Sequence, residues 1–466
     1  MNLPTLLPQS RILVSVFILA LGCSAACCSE LSKEQRPAFP GAMGYGRNST
    51  GWRNGKIIYV TNTNDSGPGS LRNCAEVTEG PRVCVFAVGG TIEVDRPIFV
   101  KSNVYVAGQT ALAQGIQLRL GRSSLSPLIV KNSHNVLLRF LKLRPGTSKL
   151  QSSAVSALLI ENAHDVMIDH CSLSFATDQN FSVHFEGGNT HDITLQRSII
   201  SWGLDKANHP KGKHSKGALV CSGTRGPFGC GRVTLRENLF AHNRDRNPDI
   251  AGTALGPFQV INNVFYNPIS QFGEFYDHRG SPQIDYVANL TVTGPSSRTS
   301  PPPVAVETYD LNPDNAVAVY ATGNMSIQGK SWKPVAAAIV KAPGTEVGAT
   351  PFSDFESFAS ASQLLELLLP MVGARFMNGA LEDRLDAMLI GSVRERTGKV
   401  INDPSEVGGW PALASGIAIR DTDADGMPDD WEDAHGLDKQ DPADAWRDRD
   451  NDGWSNVEEY LSGLLL

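Results

Sequence analysis

The middle of the chain contains the segment Asp165-Val166-Met167-Ile168-Asp169-His170, in which apolar residues alternate with other residues as in a partly buried strand. Segments of the same pattern begin at positions 135, 192, 232 and 258, so the pattern recurs every 26 to 40 residues. Short strands that recur at such intervals, without helical patterns between them, indicate a solenoid or a propeller.

The aligned segments share two columns of residues. One column is apolar, and a small polar column follows it; the members are Leu138, Ile168, Leu195, Leu235 and Val260, and then Cys171, Ser198, Asn238 and Asn263. Like residues stack when each coil contacts only its neighbours, and stacked polar side chains can satisfy buried backbone groups. We therefore predict an all-β fold, a right-handed parallel β-helix. A propeller is the alternative, but its blades need tight hairpin turns, whose signals are scarce here.

Composition and charge narrow the class of protein. The 466 residues are 41% hydrophobic and 19% charged, which excludes a disordered chain, a collagen-like chain and a minimal disulfide scaffold. Fifteen acidic and three basic residues give positions 421–466 a charge of −12, so the remainder of the chain, with the total at −7, carries +5. We expect no nucleic-acid partner. The remainder of the chain, positions 1–420, which we call the body, is mildly basic and suits an anionic ligand.

The N-terminus has the features of an export signal. Arg11 precedes the apolar run 12–21, and small residues follow. We predict a signal peptide at 1–28, because the run is too short for a membrane span. Cys23 is a candidate lipoprotein cysteine, so we expect a secreted protein that is either free or lipid-tethered at the cell surface, the tether being its only membrane contact. We also predict a monomer.

Five cysteines lie beyond the signal region. An exported protein can form disulfides. The pairs Cys74–Cys84 and Cys221–Cys230 could each close a local loop, which leaves Cys171 over. The odd number argues against a dense disulfide framework.

The chain changes character after the repeats. Positions 354–374 are rich in leucine and favour a helix that ends near Pro370, and 381–397 also favour a helix. We place the β-helix domain at 36–400, a linker at 401–420 and a separate small segment at 421–466.

The acidic C-terminal segment contains two calcium loops. Its residues fall at positions 1, 3, 5, 9 and 12 of a twelve-residue loop, with Gly426 and Gly453 at position 6; they are Asp421, Asp423, Asp425, Asp429 and Glu432, and then Asp448, Asp450, Asp452, Asn456 and Glu459. Calcium requires six or more oxygen ligands, a sharp turn at the glycine and a final bidentate glutamate. We predict structural calcium here. The segment resembles bacterial EF-hand-like or thrombospondin type 3-like calcium-binding tails.

The body resembles the pectate lyases of polysaccharide lyase family 1, in the bacterial branch, over about 36–415. The motifs that carry the resemblance occur in the family order, and they are Phe39-Pro-Gly-Ala-Met-Gly-Tyr-Gly46, Asn64-Asp-Ser-Gly-Pro-Gly-Ser-Leu-Arg72, Ala107-Gly-Gln-Thr-Ala111, Ile168-Asp-His-Cys-Ser-Leu-Ser174, Thr177-Asp178-Gln-Asn180, His214-Ser-Lys-Gly217 and His242-Asn-Arg-Asp-Arg-Asn-Pro248. The resemblance implies calcium-assisted β-elimination on polygalacturonate, in which a base removes the C5 proton and the 4-O-glycosidic bond breaks.

The resemblance also implies the roles of the groove residues. Arg246, in Arg246-Asn247-Pro248, matches the catalytic arginine, and Lys216 matches the lysine that contacts the substrate carboxylate. Because free arginine titrates above pH 12, we expect Arg246 to lie over the C5 proton and to stabilise charge there. The other expected substrate-binding residues are His209, Lys211 and His214. Asp169 and His170 are expected to be structural.

Groove calcium is expected at Asp178, with Asp205 and Asp245 as weaker candidates. The chain departs from the family pattern at Ser156, where many members have aspartate, and at Gln179, where glutamate is common. An arginine common near Asp249 or Ala251 is also missing. We therefore expect groove calcium to bind weakly or through the substrate.

Two other functions compete with the lyase. A non-catalytic β-helix could bind anionic polysaccharide, although the presence of both Lys216 and Arg246 favours an enzyme. A hydrolase of the polygalacturonase type would need close paired carboxylates, and the 169–249 region has no such motif.

Overall fold

Short strands follow one another along most of the chain in the computed structural model. It describes residues 36–148, 154–224, 226–253, 255–298, 306–309, 311–312, 314–328, 335–336, 340–341, 345–346, 358–376 and 380–464. The strands are β1 (Lys56–Val60), β2 (Arg82–Phe86), β3 (Gly90–Val94), β4 (Ile98–Val100), β5 (Val104–Ala107), β6 (Ile116–Leu120), β7 (Leu128–Lys131), β8 (His134–Arg139), β9 (Leu141–Leu143), β10 (Leu158–Glu161), β11 (His164–Asp169), β12 (Ser172–Ser174), β13 (Gln179–Phe185), β14 (Thr190–Gln196), β15 (Ile199–Ser201), β16 (Lys216–Gly223), β17 (Cys230–Arg236), β18 (Leu239–Ala241), β19 (Asp249–Ile250), β20 (Phe258–Ile261), β21 (Val264–Tyr266), β22 (Gly273–Tyr276), β23 (Gln283–Val287), β24 (Leu290–Val292), β25 (Val306–Tyr309), β26 (Ala318–Thr322), β27 (Met325–Ile327), β28 (Val335–Ala336), β29 (Val340–Lys341) and β30 (Thr345–Glu346).

The strands form three sheets, to which successive coils contribute one strand each. Sheet A runs β1-β2-β5-β8-β11-β14-β17-β20-β23-β26-β30, sheet B runs β28-β27-β24-β21-β18-β15-β12-β9-β6-β3, and sheet C runs β29-β25-β22-β19-β16-β13-β10-β7-β4. The pairs are parallel, apart from the antiparallel pair β27–β28. The predicted all-β fold, a parallel β-helix, is confirmed.

The predicted apolar column lies inside sheet A. Ile168 pairs with Leu138 on one side and Leu195 on the other, and the column continues through Leu235 to Val260. All five side chains are buried. Alternation along each strand therefore directs the residue of this column inward on every coil, as the pattern indicated.

The predicted small polar column is a ladder of hydrogen bonds at the turn from sheet A to sheet B. Each backbone N–H donates to the side chain one coil further on: Ser198 to Asn238 Oδ1 at 2.9 Å, and Asn238 to Asn263 Oδ1 at 3.0 Å. The ladder continues to Asn289 and Asn324. These buried amides satisfy backbone groups that the strand pairing leaves unpaired.

Both candidate disulfides are present. Cys74 is bonded to Cys84 and Cys221 to Cys230, and Cys171 is free and buried.

Helices from the region after the repeats cover the outer face of sheet B. They are α1 (Leu364–Leu368), which follows a 3-10 turn at Ala361–Gln363, and α2 (Arg384–Glu395). Asp383 caps α2 by accepting from the N–H groups of Leu385 and Asp386. Arg144, fully buried, pairs with Asp383 at 2.7 Å and Asp386 at 2.8 Å, which joins the start of α2 to the β-helix. Other helical turns are Tyr45–Asn48, Gly108–Thr110 and Pro404–Val407 (3-10) and Asn73–Val77 (π).

The acidic tail packs on the outer face of the first strands of sheet A, and it belongs to the compact unit Pro37–Leu466. Its helices are α3 (Asp429–His435) and α4 (Asn456–Gly463). One buried apolar cluster joins the tail to the coils, and it contains Met427, Val457, Tyr460 and Leu461 together with Trp52, Val83, Val85 and Tyr105. Arg53 Nε lies 2.6 Å from Glu458 Oε1, and the Tyr59 hydroxyl donates to Asp421.

Some predicted features lie outside the described residues. The predicted signal peptide with Cys23 is among them, as are positions 354–357 of the leucine-rich region. Within the described ranges, the helices are all too short or too polar to cross a membrane.

Candidate active site and calcium loops

The turns that lead from sheet B into sheet C bring the predicted groove residues to neighbouring coils. Asp178 immediately precedes β13, Lys216 begins β16, and Arg246 lies three residues before β19. Lys216 pairs with Gln179 on one side and forms a parallel bridge with Asp245 on the other. The three predicted residues therefore lie at the same end of sheet C on consecutive coils.

Two stacked histidines face Asp178. His214 Nε2 lies 2.7 Å from Asp178 Oδ1, and His209 Nε2 lies 3.8 Å from the same oxygen. The two rings are nearly parallel, with centroids 3.7 Å apart. Both histidines are buried. The third expected lining residue, Lys211, is exposed, and its backbone N–H donates to His209 Nδ1.

This hydrogen bond assigns the tautomer of His209. Burial, followed by the charge of His214, lowers the pKa of His209 and so favours the neutral ring. Because Nδ1 accepts a hydrogen bond, the proton of the neutral ring is on Nε2, which faces Asp178. One carboxylate and two imidazoles lie close enough together to hold a metal ion. However, His209 directs an N–H group, and not a lone pair, at this cluster. The histidines orient Asp178 and leave its Oδ2 available.

Asp205 is engaged by Arg244. Arg244 Nε lies 2.5 Å from Oδ1 and Nη2 lies 2.7 Å from Oδ2, so both carboxylate oxygens are used in a bidentate pair. The structure does not place Asp205 in the cluster of Asp178 and the histidines.

Lys216 pairs with Asp245 across the coils. Its Nζ contacts Asp245 Oδ1, and Ser270 Oγ donates to Asp245 Oδ2 at 3.4 Å. Both members of the pair are partly exposed, at 14% and 13%, so a ligand can reach the ammonium group.

Arg246 is anchored by Asp249. Arg246 Nε lies 2.9 Å from Asp249 Oδ2, and the arginine side chain is 22% exposed whereas Asp249 is 2% exposed. Arg246 has a left-handed backbone, with φ of 58°. The guanidinium is thus fixed at its inner side, and its side chain remains partly exposed to solvent.

Asp249 is itself one of two interacting acids. It pairs with Glu274 in the register of β19 and β22. Burial, and then the Glu274 charge, raises the pKa of Asp249 well above its ordinary value. Burial likewise raises the pKa of Glu274. The raised pKa of both neighbouring acids favours the uptake of a proton by this pair beneath Arg246.

Buried amides support these turns. Asn180 Nδ2 donates to Asn243 Oδ1 at 3.1 Å, and Asn243 Nδ2 donates to Asn247 Oδ1 at 3.1 Å. On the preceding coil, Ser156 is buried and its N–H donates to Ser126 Oγ at 3.0 Å. The position where the family pattern has aspartate therefore adds no charge to the groove.

The tail brings its predicted calcium ligands together in two loops. Asp421, Asp423 and Asp425 form one cluster, and Asp448, Asp450 and Asp452 form the equivalent cluster before α4. A further cluster joins Asp425 and Glu432 to Asp444, which lies between the two loops.

Several carboxylate oxygens in the first loop, and one of the neighbouring Asp444, are buried and lack a hydrogen-bond partner. They include both oxygens of Asp423 and of Glu432, and one oxygen each of Asp425 and Asp444. Burial raises the pKa of Asp425 to about 7 and that of Glu432 to about 8, and neighbouring carboxylates add to both shifts. Oxygen ligands in this number and arrangement fit calcium.

Asp429 differs from the other predicted loop ligands. Its oxygens accept from the Thr422 N–H and hydroxyl, at 2.7 and 2.8 Å, and Arg420 Nε lies 2.9 Å from Oδ2. In the second loop, Asn456 has a buried Oδ1 without a partner, and Glu459 lies 3.7 Å from Arg449. Asp429 thus closes the first loop by hydrogen bonds.

Comparison with known proteins identifies the family. No model of a known protein family matches the chain. The chain is 31% identical over 441 residues to probable pectate lyase C of Aspergillus terreus, across 92% of this chain and 94% of that protein. The chain belongs to the pectate lyase family. The corresponding Aspergillus fumigatus protein is 31% identical over 420 residues, across 86% and 88% of the two chains.

The structural comparison shows lower similarity. The solved structure of Jun a 1, the major allergen from cedar pollen, aligns with a TM-score of 0.49 at 18% identity, covering 70% of this chain and 91% of that one. By its family, this chain is a polysaccharide lyase of the pectate lyase type, so the predicted enzyme class is confirmed. These relatives are fungal, and the bacterial branch stays a prediction.

Three residues of these sites were absent from the predicted set. Asp249 and Glu274 are 25 positions apart in the sequence, and only the pairing of β19 with β22 brings them together. Asp444 belongs to neither twelve-residue loop. Its only sequence signal is the acidic composition of the segment between the loops.

Proposed function

We propose that the protein cleaves pectate, the polygalacturonate chain, by β-elimination. The observation that carries this proposal is that Lys216 and Arg246 lie on consecutive coils at one end of sheet C. Each is held by a carboxylate of this chain and each remains partly exposed. Two fixed cations at the wall of a solvent-accessible groove suit an anionic polymer.

The two cations have distinct tasks in the elimination. Loss of the C5 proton and cleavage of the C4–O bond create a C4–C5 double bond, and negative charge develops towards the C6 carboxylate. Lys216 binds that carboxylate, and Arg246 stabilises the charge as it forms. Because free arginine is a poor base near neutral pH, we assign Arg246 charge stabilisation. A solvent base accepts the C5 proton, and water supplies a proton to the departing glycosidic oxygen.

Asp178 is the residue that would hold groove calcium. Its Oδ2 is available, whereas Asp205 and Asp245 are engaged by Arg244 and Lys216. Calcium requires six or more oxygen ligands, so one protein carboxylate fits an ion that the substrate carboxylates help to bind. Such an ion supplies a Lewis acid at the substrate carboxylate.

The geometry disfavours a hydrolase. Hydrolysis of a glycosidic bond uses two carboxyl groups about 5 Å or more apart on either side of the bond. Asp249 and Glu274, the acid pair beneath Arg246, are buried and lie opposite each other on paired strands, which is not the arrangement of two acids on either side of a sugar.

The test is the ultraviolet absorbance of the unsaturated product from polygalacturonate, with calcium and then with excess chelator. We expect absorbance to increase with calcium only. New reducing ends without absorbance would mean hydrolysis. Neither signal, on polygalacturonate or on methylated pectin, would mean a binding protein. Chelator also removes calcium from the tail, so the variant Asp178→Asn is compared with the tail variant Glu432→Gln. If calcium binds in the groove, Asp178→Asn should raise the calcium concentration needed for turnover and Glu432→Gln should not.

We also propose that the protein is exported, as the N-terminal apolar run indicates, and that Cys23 is a candidate lipid anchor. The other proposals are a monomer, the bacterial branch of the family, a β-helix domain at 36–400 with a linker at 401–420, and structural calcium in the tail at 421–466. The buried, unpartnered carboxylate oxygens of the first loop support the last of these.

A further inference from the structure

We propose a binding site for zinc, or a related divalent transition-metal ion, between His164 and His191. The two residues lie at the start of β11 and β14 in sheet A, where His164 pairs with His191 on one side and with His134 on the other. Lys216 and Arg246, by contrast, belong to turns and strands of sheet C. The site is therefore separate from the candidate active site, and it does not depend on the proposed elimination.

The three histidines form a stack of nearly parallel rings. The ring centroids of His134 and His164 are 5.2 Å apart at an interplanar angle of 10°, and those of His164 and His191 are 5.1 Å apart at 9°. The side chains of His164 and His191 are 42% and 31% exposed, so a small ion can reach both from solvent. The fold thus places two accessible imidazoles side by side at about the spacing of neighbouring strands.

Each of these two rings is oriented by the carboxylate that follows it in the chain. His164 Nδ1 lies 2.7 Å from Asp165 Oδ2, and His191 Nδ1 lies 2.7 Å from Asp192 Oδ2. Arg232 Nη2 lies 2.5 Å from the other oxygen of Asp192 and holds this carboxylate in place. Because a carboxylate accepts hydrogen bonds, both Nδ1 atoms carry a proton, and Nε2 of each neutral ring keeps a lone pair. Metal-binding histidines are commonly oriented by a carboxylate in this way.

His134 belongs to the same stack but has the opposite tautomer. The Gly51 N–H donates to Asn135 Oδ1 at 3.3 Å, so the Nδ2 group of Asn135 is the one that faces the histidine. His134 Nδ1 lies 3.0 Å from Asn135 Nδ2 and accepts its hydrogen bond, which puts the proton of the neutral ring on Nε2. This difference in tautomer confines the site to His164 and His191.

The two rings can share an ion after a small adjustment. Two Zn–N bonds span about 4 Å at most, whereas the ring centroids of His164 and His191 are 5.1 Å apart, so the Nε2 atoms must approach by about 1 Å. The χ2 torsion of histidine is soft and both side chains are partly exposed, so the rings can tilt towards each other. Imidazole nitrogen suits zinc, copper and nickel, whereas calcium and magnesium prefer oxygen ligands. Water fills the remaining positions around the ion.

An ion at this site joins two coils of the β-helix. His164 and His191 belong to β11 and β14, which are neighbours in sheet A only when the chain is folded. The ion therefore binds the folded chain in preference to the unfolded chain and stabilises it.

Calorimetric titration of the full chain with zinc chloride tests this site. The titrations are made in millimolar calcium, to occupy the calcium sites, and in chains that carry Asp178→Asn, because Asp178 and the groove histidines form another cluster that could hold an ion. His164→Gln and His191→Gln should each weaken the binding of one zinc ion about tenfold or more, since a single imidazole remains. The matched control is His134→Gln, which should keep the affinity of the parent chain. Unchanged zinc binding in His164→Gln would overturn the proposal, as would an equal loss in all three variants.

Thermal unfolding provides a second measurement, and the Tm without zinc shows whether each variant is folded. Zinc should raise the Tm of the parent chain and of His134→Gln, but not that of the double variant His164→Gln/His191→Gln. Asp165→Asn retains both imidazoles and should lower the zinc affinity about tenfold, with little change in the Tm without zinc. An equal zinc-induced rise in the double variant would overturn the proposal, and an equal rise with magnesium chloride would reduce the site to a general cation site.

Discussion

Arg246 Nε lies 2.9 Å from Asp249 Oδ2, and this contact joins the predicted catalytic cation to a buried acid. Asp249 is paired with Glu274 across β19 and β22, and burial raises the pKa of both acids. The arginine is therefore positioned by a pair of acids rather than by a single carboxylate.

Arg246→Ala should abolish production of the unsaturated product, because the developing charge at the substrate loses its cation. Stability should change little, since the raised pKa of Asp249 lets this acid take up a proton when its partner is removed. Product absorbance and thermal unfolding measure the two effects, with Arg122→Ala as the exposed control. Undiminished turnover would remove Arg246 from the mechanism.

Asp249→Asn should lower kcat by about ten- to hundredfold, the effect expected when a reacting group is misplaced by about 1 Å. The guanidinium would lose its charged anchor and shift slightly while its charge remains near the bound substrate, so KM should change less than kcat. Asp249→Glu keeps the carboxylate and should restore part of the rate. Equal kcat values for Asn and wild type would show that the ion pair has no part in turnover.

The repetitive parts of the fold were predictable because each coil repeats a local pattern. Leu138, Ile168 and Leu195 occupy equivalent positions in the sequence and in the structure. The polar column that begins with Ser198 and Asn238 was likewise visible before its hydrogen bonds were known. Both columns depend only on neighbouring coils, so aligning the repeated segments by residue type identifies them although their spacing varies.

The acid pair beneath Arg246 could not be predicted in the same way. Asp249 and Glu274 have the same 25-residue offset as the paired residues of β17 and β20. However, β19 has only two residues, so no alternating pattern marked it as a strand and nothing in the sequence pointed to this pair. Asp205 shows the converse problem: an aspartate near the groove was a candidate ligand, but Arg244 occupies both its oxygens.

Calcium should stabilise the protein through its tail. If the tail loops bind calcium, a concentration about a hundred times Kd adds ~2.7 kcal/mol to the free energy of unfolding. Glu432→Gln and Asp444→Asn should each reduce this gain, since both carboxylates face the same buried cluster. Thermal unfolding with and without calcium measures the difference.

The control for the tail variants is Asp430→Asn, an exposed acid in the same helix as Glu432. It should keep the full calcium response. Because Tyr59 and Arg53 hold the tail on the first coils, loss of calcium should also increase hydrogen exchange in β1 and β2. A Glu432→Gln variant with a wild-type calcium response would exclude this loop as the stabilising site.

His242 should make the protein less stable in acid. Its Nε2 contacts Ser392 Oγ at 2.9 Å, its ring stacks on Trp202, and burial lowers its pKa from 6.5 to about 3. Between these values the unfolded chain binds a proton that the folded chain excludes, so the free energy of unfolding falls as pH falls, by about 1.4 kcal/mol per pH unit from this residue. Urea unfolding at a series of pH values should show that the free energy of unfolding of His242→Gln depends less steeply on pH than that of the wild type, from pH 6 to about 4. Replacement of the exposed His435 by glutamine is the control and should leave this pH dependence as in the wild type. The same pH dependence in all three proteins would mean that His242 binds its proton in the folded state.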